Sequence, residues 1–254
     1  MSPNSSDAAP SLQALKEKMV AVGMALWDRG LILGGEGNLS LRLPNGNLLV
    51  TPARACKGRL NTRQMLVLDP LGNLLEGNLQ PSSELLLHLQ IYRQRADVGG
   101  IVHAHPPHAT GFACAGTGLS VPLLAEVSSL LKSVPLVPYA NPGSIELGEA
   151  VLPFLEEHDA LLLANHGVVA VGADLDTALT RMELVEQFAR VTLITHMLGR
   201  QNPIPGRFLG DLEALREKER RLPYPEENLP YPKVPRILLS ELFEELIRRY
   251  LKKV

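Results

Sequence analysis

Two apolar segments that end in histidine constrain the fold of this chain more than any other feature. They are Ile101-Val102-His103-Ala104-His105 and Leu161-Leu162-Leu163-Ala164-Asn165-His166-Gly167. In a β-strand, residues i and i+2 point to the same face, so His103 and His105 should present two imidazoles side by side. His166, at the end of a neighbouring strand, would complete a set of three nitrogens around a divalent metal. Three protein ligands with open remaining positions are typical of a catalytic metal, which predicts an enzyme.

The alternative for these residues is a packing role, because isolated histidines on strands are more often core residues with a hydrogen-bond partner. Burying two imidazoles together without a partner is costly, however, so the His-x-His pair favours metal binding. His108 follows three residues after His105, beyond two prolines. We interpret it as a surface residue or a neighbour of the ligands.

Composition excludes several classes of partner. The chain has 254 residues, of which 45 % are hydrophobic, and a net charge of −2, so it suits one large domain or a domain with an extension. That charge gives no reason to expect nucleic acid or a membrane as partner. Two cysteines, a polar start and no apolar run of the about 20 residues that span a bilayer predict a reduced, soluble, cytoplasmic protein.

The order of apolar patterns predicts an α/β domain. Helices are expected at residues 11–29, 82–95, 107–116, 145–158 and 174–198, and strands at 38–42, 47–51, 65–69, 98–105, 134–139, 160–164 and 168–171. Because tight turns join many of the strands, we expect a mixed sheet covered by helices on both faces. The predicted division is a disordered segment at 1–10, a main domain at 11–200, and a proline-rich extension at 201–254 with helices at 209–221 and 237–252.

Pro81-Ser82-Ser83-Glu84 opens one of the predicted helices. In a purely structural interpretation, the serines cap the helix and Glu84 interacts with the positive end of its dipole. In a functional one, Glu84 is a partly desolvated general base of raised basicity beside the metal, and the serine hydroxyls form an anion site. His88 lies one turn later and either orients Glu84 or packs in the core.

Two loops are further candidates for binding a ligand. Gly34-Gly35-Glu36-Gly37-Asn38-Leu39-Ser40 allows close approach to a backbone, although a plain turn would look the same, and it lacks the strand–glycine–helix order of a dinucleotide fingerprint. Thr51-Pro52-Ala53-Arg54 is followed by two more cations, Lys57 and Arg59. For Arg54, Lys57 and Arg59, a solvated charge is the default interpretation.

Taken in order, these motifs resemble the class II aldolase/adducin family, most closely its L-fuculose-1-phosphate aldolase branch. The resemblance rests on Gly37-Asn38-Leu39-Ser40, Thr51-Pro52, Pro81-Ser82-Ser83-Glu84, His103-Ala104-His105-Pro106 and Asn165-His166-Gly167, and covers residues 12–199. It implies a three-layer α/β/α domain with a largely antiparallel sheet, and a homotetramer with active sites between subunits. It also implies Zn²⁺, or another divalent ion such as Mn²⁺ or Co²⁺, on the three histidines, with Glu84 as acid/base residue.

The resemblance further implies a phosphate site at Asn38, Ser82 and Ser83, with Gly37, Thr51 and Arg54 beside them. The family's loop commonly reads Ser/Thr-Pro-Ser/Thr-Gly, whereas Ala53 and Arg54 stand here. Arg54 could bind a phosphate or a carboxylate bidentately. No residue can be matched to the tyrosine that acts as an acid in aldolase members.

The implied reaction is reversible cleavage of a ketose 1-phosphate to dihydroxyacetone phosphate and an aldehyde. Other members of the scaffold are pentulose-phosphate 4-epimerases, a methylthioribulose-phosphate dehydratase and decarboxylases, which leave alternatives open. Epimerases tend to carry Asp in place of Glu84, whereas the dehydratase shares the Pro-Ser-Ser-Glu motif. A non-catalytic, adducin-like interaction protein would have lost the metal-binding histidines, and all three are kept here. The three histidines could also hold a hydrolytic zinc-bound water, but that interpretation gives the Gly-Asn-x-Ser and Pro-Ser-Ser-Glu motifs no role.

Overall fold

The computed structural model describes residues 10–220. Its helices are α1 (Leu12–Asp28), α2 (Leu85–Gln94), α3 (Pro107–Cys114), α4 (Ala125–Leu130), α5 (Ile145–Leu155), α6 (Leu175–Met197) and α7 (Leu209–Arg220). Its strands are β1 (Asn38–Arg42), β2 (Leu48–Val50), β3 (Leu66–Leu68), β4 (Leu74–Glu76), β5 (Gly100–Ala104), β6 (Leu136–Val137), β7 (Ala160–Leu163) and β8 (Gly167–Gly172). Short 3₁₀ helices cover Lys57–Arg59, Thr62–Gln64 and Gly206–Phe208.

All eight strands form one sheet in the order β4-β3-β2-β1-β5-β8-β7-β6. Every neighbouring pair is antiparallel except β6 and β7, which are parallel. The predicted mixed, largely antiparallel sheet is therefore confirmed. The sequence did not predict β4 or α4, since β4 is exposed and shows no alternation, and α4 is only six residues long.

Alternating residues of the central strands feed two apolar clusters, one on each face of the sheet. Val102 of β5 packs in the cluster that includes Met19 of α1 and Phe188 of α6, whereas Ile101 packs with Leu89 of α2. Each fully buried aliphatic side chain of this kind stabilises the fold by about 1.5–3 kcal/mol. The result is the three-layer α/β/α arrangement, with β5 buried on both faces.

Local signals in the sequence explain where the longest helices begin and end. Ser11 caps α1 by accepting a hydrogen bond from the Ala14 amide at 3.2 Å, and Gly30 follows its end at φ +67°. Asp174 caps α6 in the same way through the Thr177 amide, at 2.7 Å.

The chain beyond the long helix α6 folds back onto the domain. The Arg216 guanidinium of α7 donates a hydrogen bond to the carbonyl of Glu157 at 2.7 Å, and the amide of Ile204 donates to that of Pro122 at 2.8 Å. The predicted helix at 209–221 thus corresponds to α7. The predicted disorder at 1–10, apart from its last residue, and the helix at 237–252 lie outside the described residues. Within 10–220, no helix is long and apolar enough to cross a bilayer.

Candidate metal centre and active site

Strand β5 places the first two histidines. His103 is its fourth residue and is fully buried, and His105 follows just past its end, where its amide bonds to the carbonyl of Leu31 rather than to a strand. The two rings meet edge to face, with centroids 5.0 Å apart. Their Nε2 atoms lie 3.2 Å from each other, so both nitrogens face the same point in space.

The turn between β7 and β8 brings in the third histidine. Asn165 takes a left-handed backbone at φ +55°, and the His166 ring then lies 4.7 Å from that of His103 and 5.0 Å from that of His105, between centroids. A Cβ at Gly167 would lie 2.5 Å from the His105 ring, so the close approach of the turn to this ring requires glycine. The structure thus brings together all three residues that the sequence singled out.

The chemistry of this donor set fits a divalent metal ion. One ligand atom from each histidine lies within 4.8 Å of the others. His103 Nδ1 donates a hydrogen bond to the Val168 carbonyl at 2.9 Å, so that in the neutral ring, the form that binds a metal, the Nε2 lone pair is directed at the shared point. Burial, followed by the charge of the neighbouring imidazoles, lowers the pKa of His105 to about 3, so His105 is neutral, as a ligand must be. We name these three residues the histidine triad.

Glu84 lies directly against the triad. Its Oε2 is 3.1 Å from His103 Nε2, and its Oε1 is 3.0 Å from His166 Nε2. The side-chain amide of Asn38 donates a hydrogen bond to Oε2 at 2.8 Å and holds the carboxylate in place. Glu84 stands immediately before α2 and makes no capping hydrogen bond with its side chain, so the purely structural interpretation does not account for it.

The sequence predicts raised basicity at Glu84 beside a bound metal, and against the three imidazoles alone the balance of effects is the opposite. Burial alone would raise the pKa of Glu84, but attraction by His103 and hydrogen bonds from His103 and His166 lower it well below its usual range. The same pair has the opposite effect on the histidine: burial would lower the pKa of His103, and the carboxylate raises it. Desolvation, which raises the pKa of Glu84, is only one of two opposing effects. The other is the interaction with His103 and His166, whose distances from Glu84 cannot be read from the sequence.

A cavity of about 600 Å³ opens beside the triad. Its lining includes five of the six residues predicted to bind phosphate, namely Gly37, Asn38, Arg54, Ser82 and Ser83, together with Glu84, His105 and His166. The sixth residue, Thr51, is buried behind this wall. Its hydroxyl accepts a hydrogen bond from the Leu39 amide at 3.0 Å, so it joins β1 to β2 instead of facing the cavity.

Arg54 occupies a left-handed position, at φ +56°, where glycine would carry no strain. A side chain in this region costs about 1 kcal/mol, and the residue is nonetheless arginine at the wall of the cavity. Its carbonyl lies so near Gly35 that a Cβ there would be 3.2 Å away. The loop after β2 and the glycine-rich loop before β1 therefore meet at this point.

Lys57 was expected to be solvated, and this expectation was wrong. Only 2 % of the residue is exposed, and its Nζ donates a hydrogen bond to the Gly35 carbonyl at 2.8 Å. A Cβ at Gly58 would lie 2.3 Å from Trp27, so this 3₁₀ turn packs tightly on α1 and carries the lysine inward. Arg59 instead lies over the Trp27 ring, 5.5 Å from its centroid.

His88 makes no hydrogen bond to Glu84. Its Nδ1 lies 2.6 Å from the Ser40 hydroxyl, which in turn lies 2.8 Å from the Tyr92 hydroxyl, and burial lowers the pKa of His88 to about 3. A neutral, hydrogen-bonded core role is therefore the better interpretation. The period-2 pattern of β1 together with the four-residue step from His88 to Tyr92 could have indicated this network.

Two other groups of residues lie away from the triad. His108 is half-exposed and pairs with Glu186, with 2.7 Å between Nδ1 and Oε1. The Glu186 carboxylate also accepts hydrogen bonds from backbone amides at the start of α3. Of the tyrosines in the described residues, Tyr92 is buried against Ser40 and Tyr139 bonds to Asn141. Neither lines the cavity, so the structure adds no candidate here for the tyrosine acid.

The fold and this site define a class of α/β enzymes with a triad of histidines and an acid beside it. Residues 17–193 match the model of the class II aldolase and adducin N-terminal domain, and the chain belongs to this family. The resemblance inferred from the sequence is thereby confirmed.

Individual relatives carry two different activities. The chain is 35 % identical to a 3-oxo-tetronate 4-phosphate decarboxylase of Escherichia coli (strain K12) over 215 residues, covering 83 % of this chain and 99 % of that protein. It is 36 % identical to an L-fuculose phosphate aldolase of Methanococcus maripaludis (strain C5) over 175 residues, covering 68 % and 93 %.

Two solved structures are similar to this chain over most of its length. YgbL of Klebsiella pneumoniae, described as a putative aldolase/epimerase/decarboxylase, has a TM-score of 0.75 and 32 % identity, covering 80 % of this chain and all (100 %) of that one. An L-fuculose 1-phosphate aldolase has a TM-score of 0.75 and 30 % identity, covering 84 % and 99 %.

Proposed function

We propose that this protein is a divalent-metal-dependent lyase that cleaves a C–C bond near the carbonyl of a phosphorylated sugar, with ketose 1-phosphate aldol cleavage as its reaction. The observation that carries this proposal is the contact of one carboxylate, Glu84, with two of the three triad imidazoles, at 3.0 and 3.1 Å. A proton donor or acceptor thus lies beside the position where a metal and a substrate carbonyl would meet.

The histidine triad would hold the metal, with Zn²⁺ as the first candidate and Mn²⁺ or Co²⁺ as alternatives, since imidazole suits all three. A divalent ion bound there would polarise the substrate carbonyl and stabilise the negative charge that develops on it. Three neutral imidazoles would leave the charge of the ion intact, which favours this role.

Glu84 would move the proton. When the bond breaks, the hydroxyl of the departing carbon loses its proton and becomes the aldehyde carbonyl, and the electron pair of the bond remains with the carbon next to the substrate carbonyl. Glu84, ionised at the start, would take up the hydroxyl proton and deliver it to that carbon. In the direction of synthesis, ionised Glu84 removes the same proton. Asn38 orients the carboxylate through its 2.8 Å hydrogen bond and so keeps Oε2 on the side of the triad.

Decarboxylation of a phosphorylated 3-oxo sugar acid is the second candidate. One observation favours it, namely the 35 % identity with the decarboxylase over 99 % of the length of that protein. Here CO₂ leaves instead of an aldehyde, and the electron pair again remains on the carbon that Glu84 protonates. The two reactions thus require the same triad and the same acid.

A panel assay distinguishes the candidates. Purified protein would be incubated with ketose 1-phosphates and, separately, with 3-oxo-tetronate 4-phosphate. Release of dihydroxyacetone phosphate would be followed by coupled NADH oxidation, and release of CO₂ directly. Activity that a chelator removes and added metal restores is expected with one of the two substrate groups, and that group identifies the leaving fragment.

The Glu84→Gln variant tests the role of the acid. We expect its metal content to equal that of the wild type, while turnover falls by at least about a thousandfold, within the range of general acid–base contributions. Glu76→Gln is the matched control, because this half-exposed carboxylate pairs with Lys16 away from the triad. Normal turnover in Glu84→Gln would refute the assignment. Sedimentation of the same preparation would test the homotetramer, which we propose with this function.

A further inference from the structure

Lys57 lines the cavity, and its charge has no role in the aldol cleavage proposed above. It is almost fully buried, and within residues 10–220 its Nζ donates a hydrogen bond to one acceptor, the Gly35 carbonyl. An ammonium group has three N–H donors. Two of them are therefore available, on a buried cation beside a cavity of about 600 Å³.

Charges are distributed unevenly around this cavity. The two carboxylates of its lining lie near the triad: Glu84 touches His103 and His166, and Glu36 Oε2 is 3.8 Å from His105 Nδ1. The two cations of the lining instead follow β2, where the loop after this strand meets the glycine-rich loop before β1 at Gly35.

Two hydroxyl groups also line this cavity. Ser82 and Ser83 line the same cavity, and the Ser82 hydroxyl lies 3.4 Å from the side-chain amide of Asn38. Two cations and two hydroxyls suit a group with three terminal oxygens and a charge near −2. A substrate carboxylate would have to lie on the reacting carbon, near Glu84, so the wall is left for the phosphoryl group.

We propose that the Lys57 ammonium binds the phosphoryl group of the substrate and determines the preference of this site for phosphorylated compounds. The inference rests on the proposed function in so far as the substrate carries a phosphate. Lys57 would keep its bond to Gly35 and direct its remaining donors to phosphate oxygens, as charge-assisted hydrogen bonds. Burial lowers the pKa of Lys57 to about 8, and an anion next to the ammonium would offset this destabilisation.

The competing explanation is a structural one, in which Lys57 only joins two loops. Inorganic phosphate binding to the metal-loaded, full-length protein separates the two and needs no turnover. Calorimetric titration at pH 7 should show phosphate binding that is about tenfold to a hundredfold weaker in Lys57→Met, from loss of a charged partner. Lys57→Arg, which keeps the charge, should bind more tightly than Lys57→Met.

Arg59→Met is the matched control, because Arg59 carries the same charge two residues later and lies outside the cavity lining, over Trp27. Its phosphate affinity should equal that of the wild type. Lys57→Gln provides a second neutral variant if Lys57→Met does not fold, and melting without phosphate identifies a variant that does not. The structural explanation predicts a lower melting temperature with unchanged phosphate affinity, and that result would overturn the proposal.

Two further outcomes distinguish this inference from the proposed function. Lys57-dependent phosphate binding without turnover of any sugar phosphate would refute the function and leave the inference standing. Turnover with an unchanged KM for phosphorylated substrates in Lys57→Met would refute the inference alone. A loss of affinity seen only with malonate, a carboxylate probe, would also overturn it.

Discussion

Binding of a divalent metal to the histidine triad should stabilise the fold, and the His105→Gln variant should lose that stabilisation. A ligand at a hundred times its Kd contributes about 2.7 kcal/mol to the free energy of unfolding. For a domain of this size, each kcal/mol added to the free energy of unfolding raises the Tm by about 2–4 °C, so Zn²⁺ should raise the Tm by about 5–11 °C. The ligand atoms already lie within 4.8 Å of each other, so binding requires little rearrangement.

His105 is the best member of the triad to change. Its side chain is 23 % exposed at the end of β5, whereas that of His103 is fully buried in the sheet. If the loss of one of the three ligands weakens binding a hundredfold, the Kd rises until it equals the metal concentration. The stabilisation then falls to about 0.4 kcal/mol, or a shift of about 1–2 °C.

The assay is differential scanning fluorimetry or calorimetry with chelated protein, titrated with Zn²⁺, Mn²⁺ or Co²⁺. His108→Gln is the control, since His108 pairs with Glu186 and is not in the triad. That variant has a Tm of its own but should keep the full metal-induced increase. An equal increase in His105→Gln and wild type, or no increase with any of the three ions, would refute the assignment of the triad as a metal site.

Three further predictions follow from other parts of the structure. Arg95→Met should lower stability by about 2 kcal/mol, measured by denaturant unfolding, because it removes a partner 2.9 Å from the fully buried Asp159 carboxylate, although Arg181 remains 3.2 Å from it; a loss below about 1 kcal/mol would contradict this reasoning. Since the pKa of Lys57 is lowered to about 8, its charge is lost as the pH rises through that value, so phosphate affinity should fall about tenfold by pH 9 in the wild type, while Lys57→Arg stays flat. Gly37→Ala should destabilise the protein more than Gly30→Ala and should also weaken metal binding. Both glycines have φ near +66°, so the backbone strain is the same in the two variants. Only at Gly37 would the new Cβ lie 2.5 Å from a carbonyl oxygen, that of His103 in the triad. Equal melting temperatures and equal metal affinities in the two variants would argue against the importance of that contact.

The sheet and the triad could be predicted because each depends on a rule that acts locally. The period of two along β5 places His103 and His105 on one face whatever the rest of the chain does. Capping residues such as Ser11 and Asp174 likewise mark helix starts through contacts within three residues of themselves. The position of His166 beside them required one further assumption, that the strand after the turn, β8, neighbours β5, and the pairing of β5 with β8 provides it.

The environment of Lys57 could not be predicted in this way. A charge in a loop with Arg54 and Arg59 looks solvated when the loop is considered by itself. Its burial depends on a contact with α1, about thirty residues earlier, where Gly58 packs on Trp27. The low pKa of Glu84 beside the imidazoles could not be predicted for a related reason, because the two imidazoles that oppose the effect of burial come from β5 and from the turn between β7 and β8.

The register between β1 and β5 connects the two ends of the proposed active site. Asn38 lies directly opposite His103 in this antiparallel pair, and its amide bonds to Glu84 on one side and approaches Ser82 on the other. A slip of one residue would turn Asn38 to the opposite face of the sheet and separate the carboxylate from the serine wall. The position of Asn38 relative to the triad is therefore set by backbone pairing at the centre of the sheet, whereas Arg54 and Lys57 are positioned by the loop after β2. Such rigidity suits a reaction in which one carboxylate must reach one carbon of a substrate that is held at both ends.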